Sequence, residues 1–531
     1  MIDRLAAKLK EKFIDETIMR KVLYLLAAAH IGLLFLTTFN QSLWVDEVST
    51  LSMIKFPFGK LWEIVTMDVH PPMYFFYLKL FVDTITAIMP FTTITAAKIA
   101  SILPVIVLVI LGKTKVAKNW GKLCGAVFAF CMTAMPHMLN YGTEIRMYSI
   151  GLLFVTLSFI YAYETAKEPK LRKFVLLTAF SALSAWTHNF SCVSAVFIYA
   201  ALAVWFLRKG DKRQLLILLV SGVGVAALYL PWLSTALTAF KNVSGGFWIE
   251  DITLRDFIRY VLFAFKIQSR NNQYSELVSS IIFCLIVLAV WMRFPFSRSK
   301  KNDKRTLNVH FALSGAAVPV CTALVGIIVS YLVTPVFVER YMFPAFGCFW
   351  LAFAISLTDN TNDRAASENR KLAVNSALLV VVIMTGLSSL SSAYIEYKMY
   401  NNLRITQQEI FDNIGENNAI ITDNYEIARI TAYLTDVQSI YNFNLKLYSQ
   451  AAAELYSSIY PNIKNISGLS MLKAVQENHS RTWILFDSLN NDADELARYD
   501  ELARYCGYHG IKYKYMGKYN YEKYTFFAVT M

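Results

Sequence analysis

The sequence predicts an α-helical polytopic membrane protein: about eleven transmembrane helices, interfacial helices in the first outer loop, and a small C-terminal α/β extracytoplasmic domain. Three observations carry that prediction. First, of 531 residues 56% are hydrophobic and only 17% charged, with a mean hydropathy of +0.41. A soluble core cannot hide that much apolar surface, so lipid is the natural solvent. Second, apolar runs recur at roughly 21–39, 93–112, 123–139, 145–165, 173–188, 190–207, 214–233, 277–293, 310–333, 341–357 and 372–392, each close to the ~17–25 residues that a spanning helix needs. Third, the lysines and arginines gather in short segments between those runs, where they set orientation.

Taken in order, residues 1–20 (MIDRLAAKLKEKFIDETIMR) are too polar for a cleavable signal and read as an amphipathic cytoplasmic segment leading into a signal-anchor span. Residues 21–392 form the transmembrane domain. Its ambiguous element is 73–89, and charge decides its placement. If 73–89 does not cross, the basic loops Lys113/Lys115/Lys118/Lys122, Lys167/Lys170/Arg172/Lys173, Arg208/Lys209/Lys212/Arg213 and Arg293/Arg298/Lys300/Lys301/Lys304/Arg305 all fall on the side of the basic N-terminus. The segment is therefore expected along the outer interface, where Tyr74, Phe75, Phe76 and Tyr77 suit the depth and Pro71–Pro72 redirect the chain. The N-terminus is then cytoplasmic and everything after residue 392 extracytoplasmic, in a multi-pass protein of the cell membrane. The tail, 393–531, has strand-like runs NAIITD, RTWILFD and YTFFAVTM alternating with helix-like ones, a pattern for a small α/β domain.

The net charge of +13 does not point to nucleic acid, since no basic stripe interleaved with aromatics accompanies it. Six of the seven cysteines lie in apolar runs and only Cys506 in the tail, so the cysteines read as packing residues.

Under this topology the out-of-place polar residues map to one face. Asp46 and Glu47 open the first outer loop, with Asp68 and His70 further along it. Glu144 and Arg146 lie between the third and fourth spans, His188 and Asn189 at the fifth–sixth turn, and Glu339 and Arg340 between the ninth and tenth. Singly, each has a structural reading as a helix cap, a turn, an ion pair or a snorkelling side chain. One outward cavity accounts for all of them, and ionisable groups at membrane depth are costly enough to suggest a site. A carboxylate there is suited to general-base work on a hydroxyl or amine, and arginines with a histidine are suited to holding a phosphate. Together they describe group transfer from a lipid-linked phosphate.

The stretches SLWVDEVST, HPPMYFFYLKLF, MPHMLNYGTEIRMYSIGLLF, THNF and ERYMFPAF, in that order and spacing, resemble the membrane-embedded C-type (GT-C) glycosyltransferases. The resemblance is to the bacterial branch related to protein O-mannosyltransferases and to the aminoarabinose transferase of lipid A. It covers residues 20–357 well and the tail only in general terms. It implies a polyprenyl-phosphate sugar donor and inverting transfer on the outer face, to a cell-surface glycan, lipid or protein acceptor, in contact with membrane lipids and without nucleic acid. Asp46 matches the family's catalytic carboxylate and Glu47 the acid that follows it. His70 matches the loop histidine. Glu144, Arg146 and Tyr148 match an E-x-R-x-Y element, His188 the turn histidine, and Arg340 with Tyr341 the late RY element facing the donor phosphate. Val48, Ser49 and Ile145 depart from the family pattern, which bears on the acceptor more than on the reaction. No obligatory metal or other cofactor is expected, although Asp46, Glu47, Asp68 and His70 are able to bind a divalent ion. Two other readings of lipid-linked sugar chemistry stay open. One is a glycan polymerase or ligase, to which Arg255, Arg259, Lys266 and Arg270 in the 234–276 loop would be suited. The other is a transporter or flippase, which would need polar residues in mid-span. A non-enzymatic sensor with the tail as its working part is a third.

Overall fold

The computed structural model describes residues 15–244, 249, 251–267, 273–292, 303–358, 368–442, 450–466, 472–487, 492–522 and 524–531. The expected N-terminal amphipathic segment lies outside them up to residue 14, as does most of the basic loop at 293–302. Each of the eleven apolar runs contains a helix. Among the described residues, eight helices are long and apolar enough to cross a membrane: Glu16–Thr37, Thr93–Trp120, Tyr148–Lys167, Asn189–Lys209, Lys212–Ala239, Lys304–Leu332, Glu339–Thr358 and Lys371–Asn413. The other three runs form the helices Lys122–Ala134, Leu171–Thr187 and Gln273–Met292. The segment after Pro72 is also helical, Met73–Ile88, and its 16 residues fall short of the ~20 that a span requires.

Contacts divide the chain into two units. One holds the helices up to Thr38 together with Val69–Tyr394; the other joins Phe39–Asp68 to Ile395–Met531. The first outer loop up to Asp68 is thus grouped with the C-terminal region, and the boundary falls inside the long helix Glu368–Glu409.

In the first unit the helix Tyr148–Lys167 lies at the centre. Small residues let its neighbours approach, as expected where apolar area alone gives no drive between helices in lipid. A Cβ on Gly347 would sit 1.8 Å from Thr156 Oγ1, and one on Gly151 would sit 3.1 Å from Ser191 Oγ and 3.3 Å from Pro344 Cγ. Buried hydroxyls return their protons to the preceding turn, as Thr156 Oγ1 does to Leu152 O at 2.6 Å and Ser158 Oγ to Phe154 O at 3.0 Å. The helix Met73–Ile88 buries Tyr74, Phe75, Leu78 and Val82, an i, i+1, i+4, i+8 face. Tyr77 donates to Ala100 O at 2.7 Å, tying that helix to Thr93–Leu111.

The second unit is built on a six-stranded sheet. The strands are β1 (Asn418–Thr422), β2 (Ser439–Asn442), β3 (Ile463–Asn465), β4 (Arg481–Asp487), β5 (Lys514–Tyr521) and β6 (Tyr524–Thr530), in the order β3-β2-β1-β4-β6-β5. The first four pair in parallel, joined by helical crossovers, and β6 runs antiparallel to both β4 and β5. Three of the strands coincide with NAIITD, RTWILFD and YTFFAVTM. Ile421, Ile484, Phe486, Phe527 and Val529 form the core on one face, with Leu472, Leu502 and Cys506 from the helices. The short helix Val45–Ile54 packs on Tyr425–Leu434, and Phe58–Val65 packs on Gln450–Ile459.

Candidate functional site

In the first unit the polar residues singled out from the sequence gather at one end of the bundle. Arg146 precedes the helix Tyr148–Lys167 in a tight turn whose Arg146 N–H meets Glu144 O at 2.7 Å. Ser101 Oγ holds the same carbonyl at 2.8 Å. Arg146 is only 6% exposed, and its Nη2 lies 3.4 Å from His70 Nε2. The His70 and His188 rings are 5.8 Å apart. His188 in turn lies 5.0 Å from the Tyr341 ring and 6.2 Å from the Tyr148 ring. Tyr341 and Arg340 open a 3₁₀ segment, Glu339–Ala345, and the Arg340 guanidinium is 5.8 Å from the Tyr341 ring centre.

His188 occupies the turn between two helices and caps the second: its Nδ1 accepts the Phe190 N–H at 3.1 Å. Burial pushes its pKa well below the ordinary value, and the neighbouring His70, Arg146 and Arg340 push in the same direction. The ring is therefore neutral near pH 7, with Nδ1 as acceptor and the proton on Nε2.

Two cavities adjoin the Arg340 segment, and Tyr260 lines both. One, about 330 Å³, is polar, with Tyr141, Asp251, Asp256, Arg259, Glu339 and Arg340 on its walls. Arg259 bridges two of those acids, Glu339 at 2.5 Å and Asp256 at 3.2 Å. The other, about 370 Å³, is walled by apolar side chains such as Phe257, Phe265, Trp291, Met342 and Phe346. A polar chamber beside an apolar one suits an amphiphile. The sequence reading named Arg259 only for the polymerase or ligase alternative and did not name Tyr260. Their signal is the amphipathic helix Leu254–Leu262, opened by a Thr253–Asp256 capping box.

In the second unit the helix Val45–Ile54 presents Asp46 and Glu47 in its first turn, where the helix dipole favours negative charge. The two acids differ in circumstance. Glu47 is 5% exposed and its Oε2 accepts the Trp44 N–H at 3.2 Å, closing the helix start. Asp46 is half-buried. Three residues on, Ser49 Oγ receives Arg429 Nη1 at 3.1 Å. Arg429 comes from the helix Tyr425–Leu434, is 6% exposed, and stands 4.3 Å from the Tyr456 ring centre and 5.5 Å from that of Tyr425. Burial works against its charge, but Tyr456, Tyr460, Glu426 and Asp46 outweigh that and hold the guanidinium charged more firmly than usual. Nothing in the sequence marked Arg429, which sits in an ordinary amphipathic pattern. Among the described residues no group of three or more His, Cys, Asp or Glu side chains is arranged to hold a metal ion.

A bundle of membrane-length helices with an appended α/β sheet, and a cationic, aromatic cluster at one end of the bundle, defines a multi-pass membrane protein. No protein-family model and no curated protein matches the sequence. Among solved structures, the chain matches ArnT from Cupriavidus metallidurans in the apo state with a TM-score of 0.57 at 9% identity, covering 96% of this chain and 98% of that one. It matches the same protein bound to undecaprenyl phosphate with a TM-score of 0.55 at 10% identity, over the same shares. The chain therefore shares the fold of ArnT along nearly its whole length.

Proposed function

We propose that the protein is a glycosyltransferase that moves a sugar from a polyprenyl-phosphate donor to an acceptor on the outer face of the membrane, with inversion. The observation that carries this reading is the gathering of Arg146, His70, His188 and the Arg340–Tyr341 pair at one end of the bundle, beside paired polar and apolar cavities. A donor of this kind has an anionic phosphate, a polar sugar and a hydrocarbon tail, and each has a counterpart there. ArnT, whose fold the chain shares, has been crystallised with undecaprenyl phosphate, which supports a lipid-phosphate donor.

In this mechanism Asp46 takes the proton from the acceptor's hydroxyl or amine as that atom attacks the anomeric carbon from the face opposite the phosphate. The bond to the donor phosphate breaks as the new glycosidic bond forms, and polyprenyl phosphate departs as an anion. Arg340, with Arg146 or His70, offsets the charge that develops on the leaving oxygen. His188, neutral, offers its Nε2 proton as a hydrogen bond and does not add a further cation. Tyr148 and Tyr341 wall the site, and Glu144 anchors the turn that presents Arg146. Glu47 supports catalysis by fixing the start of the helix that bears Asp46. The N-terminus is cytoplasmic and the α/β domain extracytoplasmic. Turnover by Asp46→Asn in liposomes, supplied with a polyprenyl-phosphate sugar and an acceptor extract, tests the assignment; loss of about three orders of magnitude is expected, and near-normal rates reject the base.

A further inference from the structure

At the end of the bundle away from the Arg146–His188 cluster there is a third cavity, about 650 Å³, between the start of the helix Glu16–Thr37 and the end of the span Thr93–Trp120. Five cations line it: Arg20, Lys21, Lys113, Lys118 and Lys122. On the first helix the lining positions are 17, 20, 21 and 24, and on the second 113, 114, 117 and 118. Each set follows i, i+3, i+4 spacing and so occupies a single face.

The arrangement is built by packing. The second span loosens into a π-turn, Gly112–Val116, before its last turn, and such bulges are frequent at functional positions. Gly112 and Gly125 let this turn touch the helix Lys122–Ala134: a Cβ on Gly125 would stand 2.2 Å from Gly112 O. The acids nearby are already engaged. Asp15 caps the first helix through Thr17 N at 2.7 Å, and Glu16 lies 3.8 Å from Arg20. Glu164 takes Lys115, which is not part of the lining, at 3.2 Å. Among the described residues no acid lies within ion-pair distance of Lys21, Lys113, Lys118 or Lys122. The preceding segment, residues 1–14, has four basic residues against two acids and so carries a net positive charge of its own.

Towards the bundle's middle the lining faces turn apolar and remain at least partly exposed, with Ala28 and Ile31 on one helix and Val107 and Ile110 on the other. Cations around a cavity that opens onto apolar helix surface match a headgroup with acyl chains attached. We propose that this cavity binds the phosphate headgroup of an anionic membrane phospholipid, distinct from the sugar donor and at the opposite end of the bundle. A soluble phosphate compound shares the headgroup's chemistry but would leave the apolar surface below the cavity uncovered.

The test uses the purified full-length chain in neutral detergent, offered equimolar phosphatidylglycerol and phosphatidylcholine, with retained lipid counted by native mass spectrometry. The wild type is expected to prefer phosphatidylglycerol by at least about tenfold. Each lysine near a phosphate contributes about fivefold, so K113Q/K118Q/K122Q should weaken that lipid roughly a hundredfold and erase the preference. K113R/K118R/K122R should keep it, as should K209Q/K212Q/R213Q, which removes three cations from a different loop at the same end of the bundle. Should the triple glutamine variant not fold, K118Q alone, expected to lose about fivefold, serves in its place. The proposal is overturned if the glutamine variants keep the preference, or if K209Q/K212Q/R213Q loses as much. It is also overturned if glycerol phosphate or inorganic phosphate at millimolar concentration displaces the lipid, which would make the ligand a soluble phosphate.

Discussion

Arg429→Met asks whether the α/β unit takes part in catalysis. Arg429 donates one bond to Ser49, three residues beyond Asp46, at 3.1 Å, and stacks at 4.3 Å over Tyr456. A hydrogen bond from a charged donor is worth about 1.5–3 kcal/mol and a desolvated cation–π contact about 2 kcal/mol. Against them stands a burial cost of several kcal/mol for the guanidinium, which methionine of similar shape does not incur. Folding stability should therefore change little. The helix Val45–Ile54 loses this side-chain tether, however, and displacement of a reacting group by ~1 Å costs about a hundredfold in rate. The expected outcome is an unchanged apparent unfolding temperature with kcat down about a hundredfold, KM for the donor unaltered, and partial rescue by Arg429→Lys. Ser49→Ala removes the same hydrogen bond from the other side. If the bond positions Asp46, the two substitutions are non-additive in kcat, coupled by about 1.5–3 kcal/mol. Folded Arg429→Met with kcat within twofold of wild type, or strict additivity with Ser49→Ala, refutes the reasoning. Asp46→Asn separates this outcome from a wrong base, because it bears on the base assignment and not on the tether.

The remaining predictions concern the bundle. Arg146→Met removes a charged donor from the cationic cluster and should lower kcat/KM for the lipid-phosphate donor by about 10–150-fold, with thermal stability intact, as read in the same liposome assay. For His188 the folded state binds fewer protons than the unfolded chain, whose histidine titrates at about 6.5. Its contribution to stability is thus complete above that pH and lost progressively as pH falls below it. Thermal unfolding between pH 7.5 and 5 should show this loss, and His188→Asn should lessen it. Gly347→Ala forces a Cβ to within 1.8 Å of Thr156 Oγ1 in a packed helix pair and should destabilise by about 1–3 kcal/mol, partly recovered by adding Thr156→Ala.

The helical class and the positions of all eleven apolar runs were legible because a lipid-facing helix must be apolar along its length, a signal that needs no tertiary information. His70, Arg146, His188 and Arg340 were legible for the converse reason: a charged or titratable residue beside an apolar run stands out against its surroundings. The strands β1, β4 and β6 showed as unbroken β-branched and aromatic runs. By contrast β2 and β3, four and three residues long, are too short for any period to register, and β5 contains Gly517 at a bulge. Arg429 was invisible, and Arg259 stood out only as one of four loop cations, for a different reason. Each lies in an amphipathic helix where an arginine is expected on the solvent side, and only packing reveals that Arg429 faces inward.

The adjacent acids Asp46 and Glu47 show how far a sequence pattern can go before geometry must finish it. At a helix start, consecutive side chains point about 100° apart, so two neighbours cannot do the same work. The third residue of the helix is the one whose side chain can turn back to the unsatisfied N–H before the first turn, and here that residue is Glu47, bonded to Trp44 N. Asp46, one position earlier, is excluded from that role by geometry and left half-buried. Replacing Glu47 with Gln preserves an acceptor for the Trp44 N–H and should leave most activity, whereas Glu47→Ala frees the helix start and should cost about 1 kcal/mol of stability together with rate. If Glu47→Gln were as inactive as Asp46→Asn, the two carboxylates would share the chemistry and the division of labour read from the helix start would be wrong.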